Sequence, residues 1–200
     1  MQFRNLLVAF TALLLVLLSG CASAESTSPD ETMTAENIRD EVSTALRDAG
    51  TFRFEMTAPD PANEDDDIET TGEIAYTDDG DVDALGFTQP TDEYRFVDDT
   101  LYHRAGEDDE FQELDDNATD DFLTGWDWAA AVEEFPAVEE LSEEGSEEID
   151  GVETTKYEVT FPDRTETWWL DDDRRLIKQS TDDTESRLSG FGEPVDITAP

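Results

Sequence analysis

The stretch from Val138 through Asp150-Gly151 to Phe161 constrains the fold more than any other in the chain. An Asp-Gly pair accepts the positive φ angles of a type I′ turn, whose twist matches that of two antiparallel strands. Val138 to Ile149 and Val152 to Phe161 are therefore expected to pair. On the second arm, Val152, Thr154, Lys156 and Glu158 face one way, and Thr155, Tyr157, Val159 and Phe161 the other. A lone hairpin is marginal in water, so this one needs further strands or a helix to cover its apolar face.

Those strands are legible as alternation. Phe52, Phe54 and Met56 alternate with polar residues, and Ile68, Thr70, Gly72, Ile74 and Tyr76 do the same. Between them, Ala58 to Asp67 carries two prolines and an acidic cluster and reads as an exposed loop. Asp78-Asp79-Gly80 is a turn; Val82, Ala84 and Phe87 mark a third strand whose period Leu85-Gly86 disturbs. Glu93–Val97 and Thr100–His103 flank Asp98-Asp99, with Phe111–Leu114 as another short strand. Thr165–Leu170 and Leu176–Ser180 form a hairpin around Asp171–Arg174, and a last strand runs through Thr184–Leu188.

Two segments have helical spacing. Thr34 is an N-cap candidate ahead of Ile38, Val42, Ala45, Leu46 and Ala49, and Gly50 supplies a left-handed stop. From Asp120 to Phe135 a helical or irregular apolar face recurs at Phe122, Leu123, Trp126, Ala129, Ala130, Val132 and Phe135, ended by Pro136. There is no internal repeat. The expected fold is α+β: a single curled antiparallel sheet with helices on one face.

The N-terminus sets the location. Arg4 precedes an apolar run from Leu6 to Leu18, too short to span a hydrocarbon core about 30 Å thick and of the size of a secretory h-region. Leu18-Ser19-Gly20-Cys21 resembles the lipobox of exported lipoproteins. The resemblance implies a diacylglyceryl thioether on Cys21, cleavage before it and a mature chain tethered by two acyl chains, which anchor stably where one does not. An ordinary signal peptide cut near Ala22 or Ala24, discarding Cys21, is the other reading. The expected organisation is a signal peptide over 1–20, a lipidated N-terminus and tether over 21–33, and one domain over 34–200. The Ser-, Thr- and Glu-rich tether has no apolar period.

Charge excludes some partners. The chain holds 54 acids against 12 Lys plus Arg, a formal net charge of −42, and its only lysines are Lys156 and Lys178. Phosphate recognition needs basic patches, so nucleic acid is excluded as a partner. Self-repulsion on this scale is relieved where the Debye length shrinks to about 3 Å near 1 M salt. Dispersed acids with scarce lysine are thus the surface of a halophile's protein, with cation or Ca²⁺ binding as the rival explanation. A single cysteine rules out an internal disulfide framework.

Catalytic chemistry finds little support. His103 is the only histidine, and neither Gly-x-Ser-x-Gly nor His-Glu-x-x-His occurs. No cofactor or metal site is expected, and among 54 acids no carboxylate pair is distinguished from the rest. Asn117-Ala118-Thr119 matches the N-glycosylation acceptor pattern.

The order of motifs resembles that of the LppX/LprG-type envelope lipoproteins: a lipobox, a helix ending Ala49-Gly50, then Thr51-Phe52-Arg53-Phe54. Ile149–Tyr157 is similar to that family's central hairpin, and Trp169-Leu170-Asp171-Asp172 and Phe191–Ile197 to its late strand and closing segment. The resemblance implies a LolA-like half-barrel with helices across its open side and acyl chains bound between sheet and helices. The turn after Asp173 lacks the family's glycine, so Asp173 or Arg174 must take an unusual φ.

Candidate ligand-lining residues are Phe52, Phe54, Met56, Ile74, Tyr76, Phe96, Trp126, Phe135, Tyr157, Val159 and Trp168. They line a dry cavity for a lipid, or they fill an ordinary core. The matching functions are a membrane-anchored extracytoplasmic protein that binds a lipid or other apolar ligand, and an envelope protein-interaction module without a cavity.

Overall fold

The computed structural model describes residues 32–60 and 63–200. The segment 1–20, Cys21 and all but the end of the tether lie outside the described residues. Thr34 opens the first helix through a reciprocal pair: its N–H donates to Asn37 Oδ1 at 2.7 Å, and the Asn37 N–H donates to Thr34 Oγ1 at 3.3 Å. This satisfies donors that a bare helix end would orphan. Helix α1 (Ile38–Asp48) buries Ile38, Val42 and Leu46 on one stripe, and Gly50, at φ +72°, terminates it.

Six strands follow: β1 (Thr51–Asp60), β2 (Asn63–Tyr76), β3 (Val82–Thr88), β4 (Asp92–Val97), β5 (Thr100–Ala105) and β6 (Gln112–Glu113). Two helices, α2 (Asp116–Trp126) and α3 (Trp128–Glu134), lead to β7 (Glu140–Ile149), β8 (Val152–Thr160), β9 (Thr165–Leu170), β10 (Leu176–Ser180) and β11 (Glu185–Ser189). All eleven form one sheet in the order β6-β5-β4-β3-β2-β1-β11-β10-β9-β8-β7. It is two meanders joined where β1 pairs antiparallel with β11. The ends β6 and β7 do not pair, so the sheet is an open half-barrel, and α2–α3 is the connection between its two edges. Helix α1 packs against α3, where Arg47 meets Glu133 at 2.9 Å and Arg39 donates to the Phe135 carbonyl.

Turn chemistry follows the sequence. Asp150 and Gly151 have φ of 50° and 85°, the type I′ pair expected of the central hairpin. Asp98 and Asp99, at 52° and 58°, make a similar turn without glycine, which short polar side chains tolerate. Arg174 takes φ 64° where the glycine is missing; Asp171 secures that turn by accepting from the Arg175 N–H and guanidinium.

Two expectations need correction. Ala58–Asp67 is not a long loop: β1 continues to Asp60 and β2 begins at Asn63. Pro59 fits because β11 pairs with β1 only as far as Thr57, leaving no partner there for the missing N–H. The segment from Asp120 is two helices, and the first begins earlier, at Asp116, capped by Asp115. Val82–Thr88 loses its simple period because both faces are covered. Leu85 and Phe87 point into the core, while Gly86 lies under the C-terminal segment, where an added Cβ would meet Ile197 at 3.4 Å.

That segment is a strap across the outer face. Arg53 Nη2 donates to the Pro194 carbonyl at 3.0 Å, the Asp196 N–H to Glu73 at 3.2 Å, and Arg95 to the Thr198 carbonyl at 3.3 Å. A smaller outer cluster of Ile149, Trp169 and Ile177 lies on the other meander, with Trp169 between Lys156 and Lys178.

Candidate functional site

Alternation along eleven strands delivers one side chain in two to the inner face, and the helices close over it. Phe52, Phe54, Ile74, Tyr76, Phe96, Val159 and Trp168 are buried there in a single cluster, with Trp126, Phe135 and Tyr157 packed against it. Ten of the eleven sequence candidates thus meet in one place. Met56 shares their face by register but stands beyond the cluster, paired with Thr70 and Ser186.

Ring contacts describe how the helices sit on the sheet. The Phe54 ring lies 6.0 Å from Trp126 and 5.5 Å from Trp128. Phe87 lies 4.1 Å from Trp126 and stacks on Phe122 at 5.6 Å. On the other meander, Phe135 meets Phe161 edge-on at 5.6 Å and Trp168 at 6.2 Å. Phe87, Phe122, Trp128 and Phe161 belong with the candidates although sequence reasoning did not single them out. Phe87 was obscured by the broken period of its strand, and Trp128 by the helix break beside it.

The break is held by one carboxylate. Asp127 ends α2 and caps α3: its Oδ1 accepts from the Ala130 N–H at 3.1 Å and from the Tyr76 hydroxyl at 3.0 Å. Tyr76 oxygen in turn accepts from the Ala129 N–H at 3.2 Å. Burial raises the Tyr76 pKa well above its ordinary value, and the neighbouring Asp127 charge adds to the rise. The hydroxyl therefore stays protonated as the donor that fastens the two helices to β2. A second buried donor, Trp128 Nε1, has no acceptor among the described residues.

His103 sits where β5 meets β4, stacked on Tyr94 with ring centroids 4.5 Å apart and its Nε2 2.7 Å from Asp92 Oδ1. Hydrogen bonds from Thr91 and then His103 hold the Asp92 carboxyl below its usual range. Next to it, burial pushes Glu93 up, but hydrogen bonds from Arg95 and Arg104 outweigh this and leave it lowered. Among the described residues no group of three or more His, Cys, Asp or Glu could hold a metal ion, and no helix is long and apolar enough to cross a membrane. Asn117 is exposed on the first turn of α2.

No family model matches the chain, and no curated protein matches it in sequence. Among solved structures, LprF from Mycobacterium bovis is similar over 83% of this chain and 96% of its own, with a TM-score of 0.57 and 16% identity. The Mycobacterium tuberculosis lipoprotein LppX is similar over 80% and 98%, at a TM-score of 0.49 and 16% identity. MucB, solved in complex with MucA, is similar over 83% of this chain and 59% of its own, at 0.45 and 15%. At such identity the likeness to LprF shows the fold. This chain has the half-barrel architecture expected from its resemblance to the LppX/LprG type.

Proposed function

We propose that this protein is a membrane-tethered extracytoplasmic lipoprotein that binds the acyl chains of a lipid between the sheet and helices α1–α3, and that it is a binding protein and not an enzyme. The observation that carries the reading is the aromatic inner face of an open half-barrel, covered by helices that join its two free edges. Apolar ligands need little polar precision, and a dry face walled by rings such as Phe54, Phe87, Trp126 and Trp168 meets that need. Chains enter by displacing α2–α3, whose attachment to the sheet runs through Asp127 and Tyr76. The unpaired Trp128 Nε1 supports the reading further: an ester carbonyl next to a bound acyl chain supplies the acceptor it lacks. Cys21 is the proposed lipid attachment, which keeps the domain within a tether's length of its ligand.

The test is extraction of the intact, freshly purified protein with organic solvent, followed by mass spectrometry. A stoichiometric lipid beyond the covalent anchor is the expected result. A clean extract from a protein that captures an envelope protein instead would favour the interaction-module reading.

A further inference from the structure

The C-terminal strap lies along one register row of the outer face. The row runs through Ser189 on β11, Arg53 on β1, Glu73 on β2, Gly86 on β3 and Arg95 on β4, each paired with the next. It grips the strap by main-chain atoms at every second residue. Arg53 donates to the Pro194 carbonyl at 3.0 Å, Glu73 accepts the Asp196 N–H at 3.2 Å, and Arg95 donates to the Thr198 carbonyl at 3.3 Å. Between these grips Val195 and Ile197 are half-buried, and Ile197 rests on Gly86, where an added Cβ would already touch it at 3.4 Å. Main-chain bonds for affinity, with side-chain positions between them for specificity, are how an extended peptide is recognised.

The strap under-fills this groove. A cavity of about 380 Å³ stays open beside Asp196 and Ile197. Its floor is the next register row, where Glu55, Thr71 and Thr88 are exposed and make no hydrogen bond or ion pair among the described residues. Arg53 and Arg95 also line it, but Glu73 and Glu93 already hold them. A carboxylate and two hydroxyls without partners complement a basic side chain, and the strap brings an acid, Asp196, instead. The strap has no helix or strand of its own, and Glu193, Pro194, Asp196 and Thr198 are exposed, so little burial holds it down.

We propose that this groove docks an extended segment of a partner protein, one that seats an aliphatic residue on Gly86 and sends a basic side chain to Glu55. The strap occupies the groove in cis until such a segment displaces it. The site is on the opposite face of the sheet from the aromatic cluster, so it is independent of lipid binding.

Two fluorescein-labelled peptides serve as probes: the strap's own sequence from Gly192 to Pro200, and the same peptide with Val195→Lys. Each is titrated by fluorescence anisotropy onto the full-length protein and onto Ile197→Asp, whose charge, beside the acids lining the cavity, lifts the strap off Gly86. A tethered competitor acts at a roughly millimolar effective concentration. The lysine peptide should therefore bind Ile197→Asp at least about tenfold tighter than the unsubstituted protein. It should exceed the strap peptide about threefold, the worth of an exposed ion pair, and adding Glu55→Gln should erase that advantage. Adding Arg95→Gln should weaken both peptides about fivefold, the worth of one hydrogen bond. Circular dichroism melts confirm that each variant is folded. Should Ile197→Asp not fold, hydrogen exchange at the Asp196 amide of the unsubstituted protein takes its place, with protection lost as the lysine peptide saturates. Peptides that bind neither form, equal affinity for the two forms, a lysine gain that survives Glu55→Gln, or protection unchanged at saturation overturns the proposal. A dimer of the unsubstituted protein on ultracentrifugation that dissociates in Ile197→Asp overturns the choice of partner and assigns the groove to the strap of a second copy.

Discussion

Replacing Asp127 by Ala should loosen the helices that close the half-barrel. Asp127 Oδ1 caps α3 through the Ala130 N–H and accepts the Tyr76 hydroxyl. Loss of the cap costs about 1 kcal/mol. Tyr76 is only 8% exposed, so its hydroxyl proton is left buried without an acceptor, costing about 1–3 kcal/mol more. Together these give a loss of about 2–4 kcal/mol. At about 2–4 °C per kcal/mol for a domain of this size, the melting temperature should fall by about 5–15 °C. Circular dichroism melts in constant salt measure it. Asp127→Asn, whose carbonyl still caps, should recover most of the loss. In a Tyr76→Phe background the stranded donor is gone, so Asp127→Ala should cost only about 1 kcal/mol, that of the cap. Equal losses in both backgrounds, or a drop under about 2 °C in the wild type, would refute the claim that this carboxylate pins the helices to the sheet.

Three further outcomes follow from the charges and the N-terminus. The folded-state pKa of Glu93 is lowered, so its contribution is present above the unfolded value of about 4.3 and is lost as pH falls through the lower folded value. Urea unfolding between pH 7 and 3 should show that loss, and Glu93→Gln should flatten this part of the acid limb. Since Glu166 is the only buried acid among the described residues, the acidic load lies on the surface, and stability should climb with KCl into the molar range; a flat response would count against halophilic adaptation. Cys21→Ser should shift the protein out of the membrane fraction on centrifugation, whereas unchanged sedimentation would remove the anchor from the account.

Much of the fold was legible because a half-covered sheet writes its period into the sequence. Phe52 and Phe54, Ile74 and Tyr76, and Tyr157 and Val159 each announce an inward face, and Asp150-Gly151 and Gly50 mark turns that few other residues make. The hidden parts depend on partners distant in sequence. Pro59 and the acids after it look like loop, yet pairing with β2 extends the strand where β11 has already ended. The strap over Gly86 has no periodic signature, because backbone carbonyls caught by Arg53 and Arg95 hold it in place. Thr70, Ser186 and Gln179 are residue types of an exposed face, and only the register shows that they point inward. Asp127 reads as one more surface acid until Tyr76 is brought across from β2.

Tryptophan quenching by a fatty-acid methyl ester brominated along its chain reports where an acyl chain sits, because bromine quenches only at close range. Trp126, Trp128 and Trp168 belong to the inner cluster, and Trp169 to the outer one. An acyl chain inside the half-barrel gives saturable quenching that falls when Trp168 is replaced by Phe and is unchanged when Trp169 is. Quenching that tracks Trp169 alone, or none at ester excess, would place the acyl chains outside the half-barrel and contradict the lipid-binding reading.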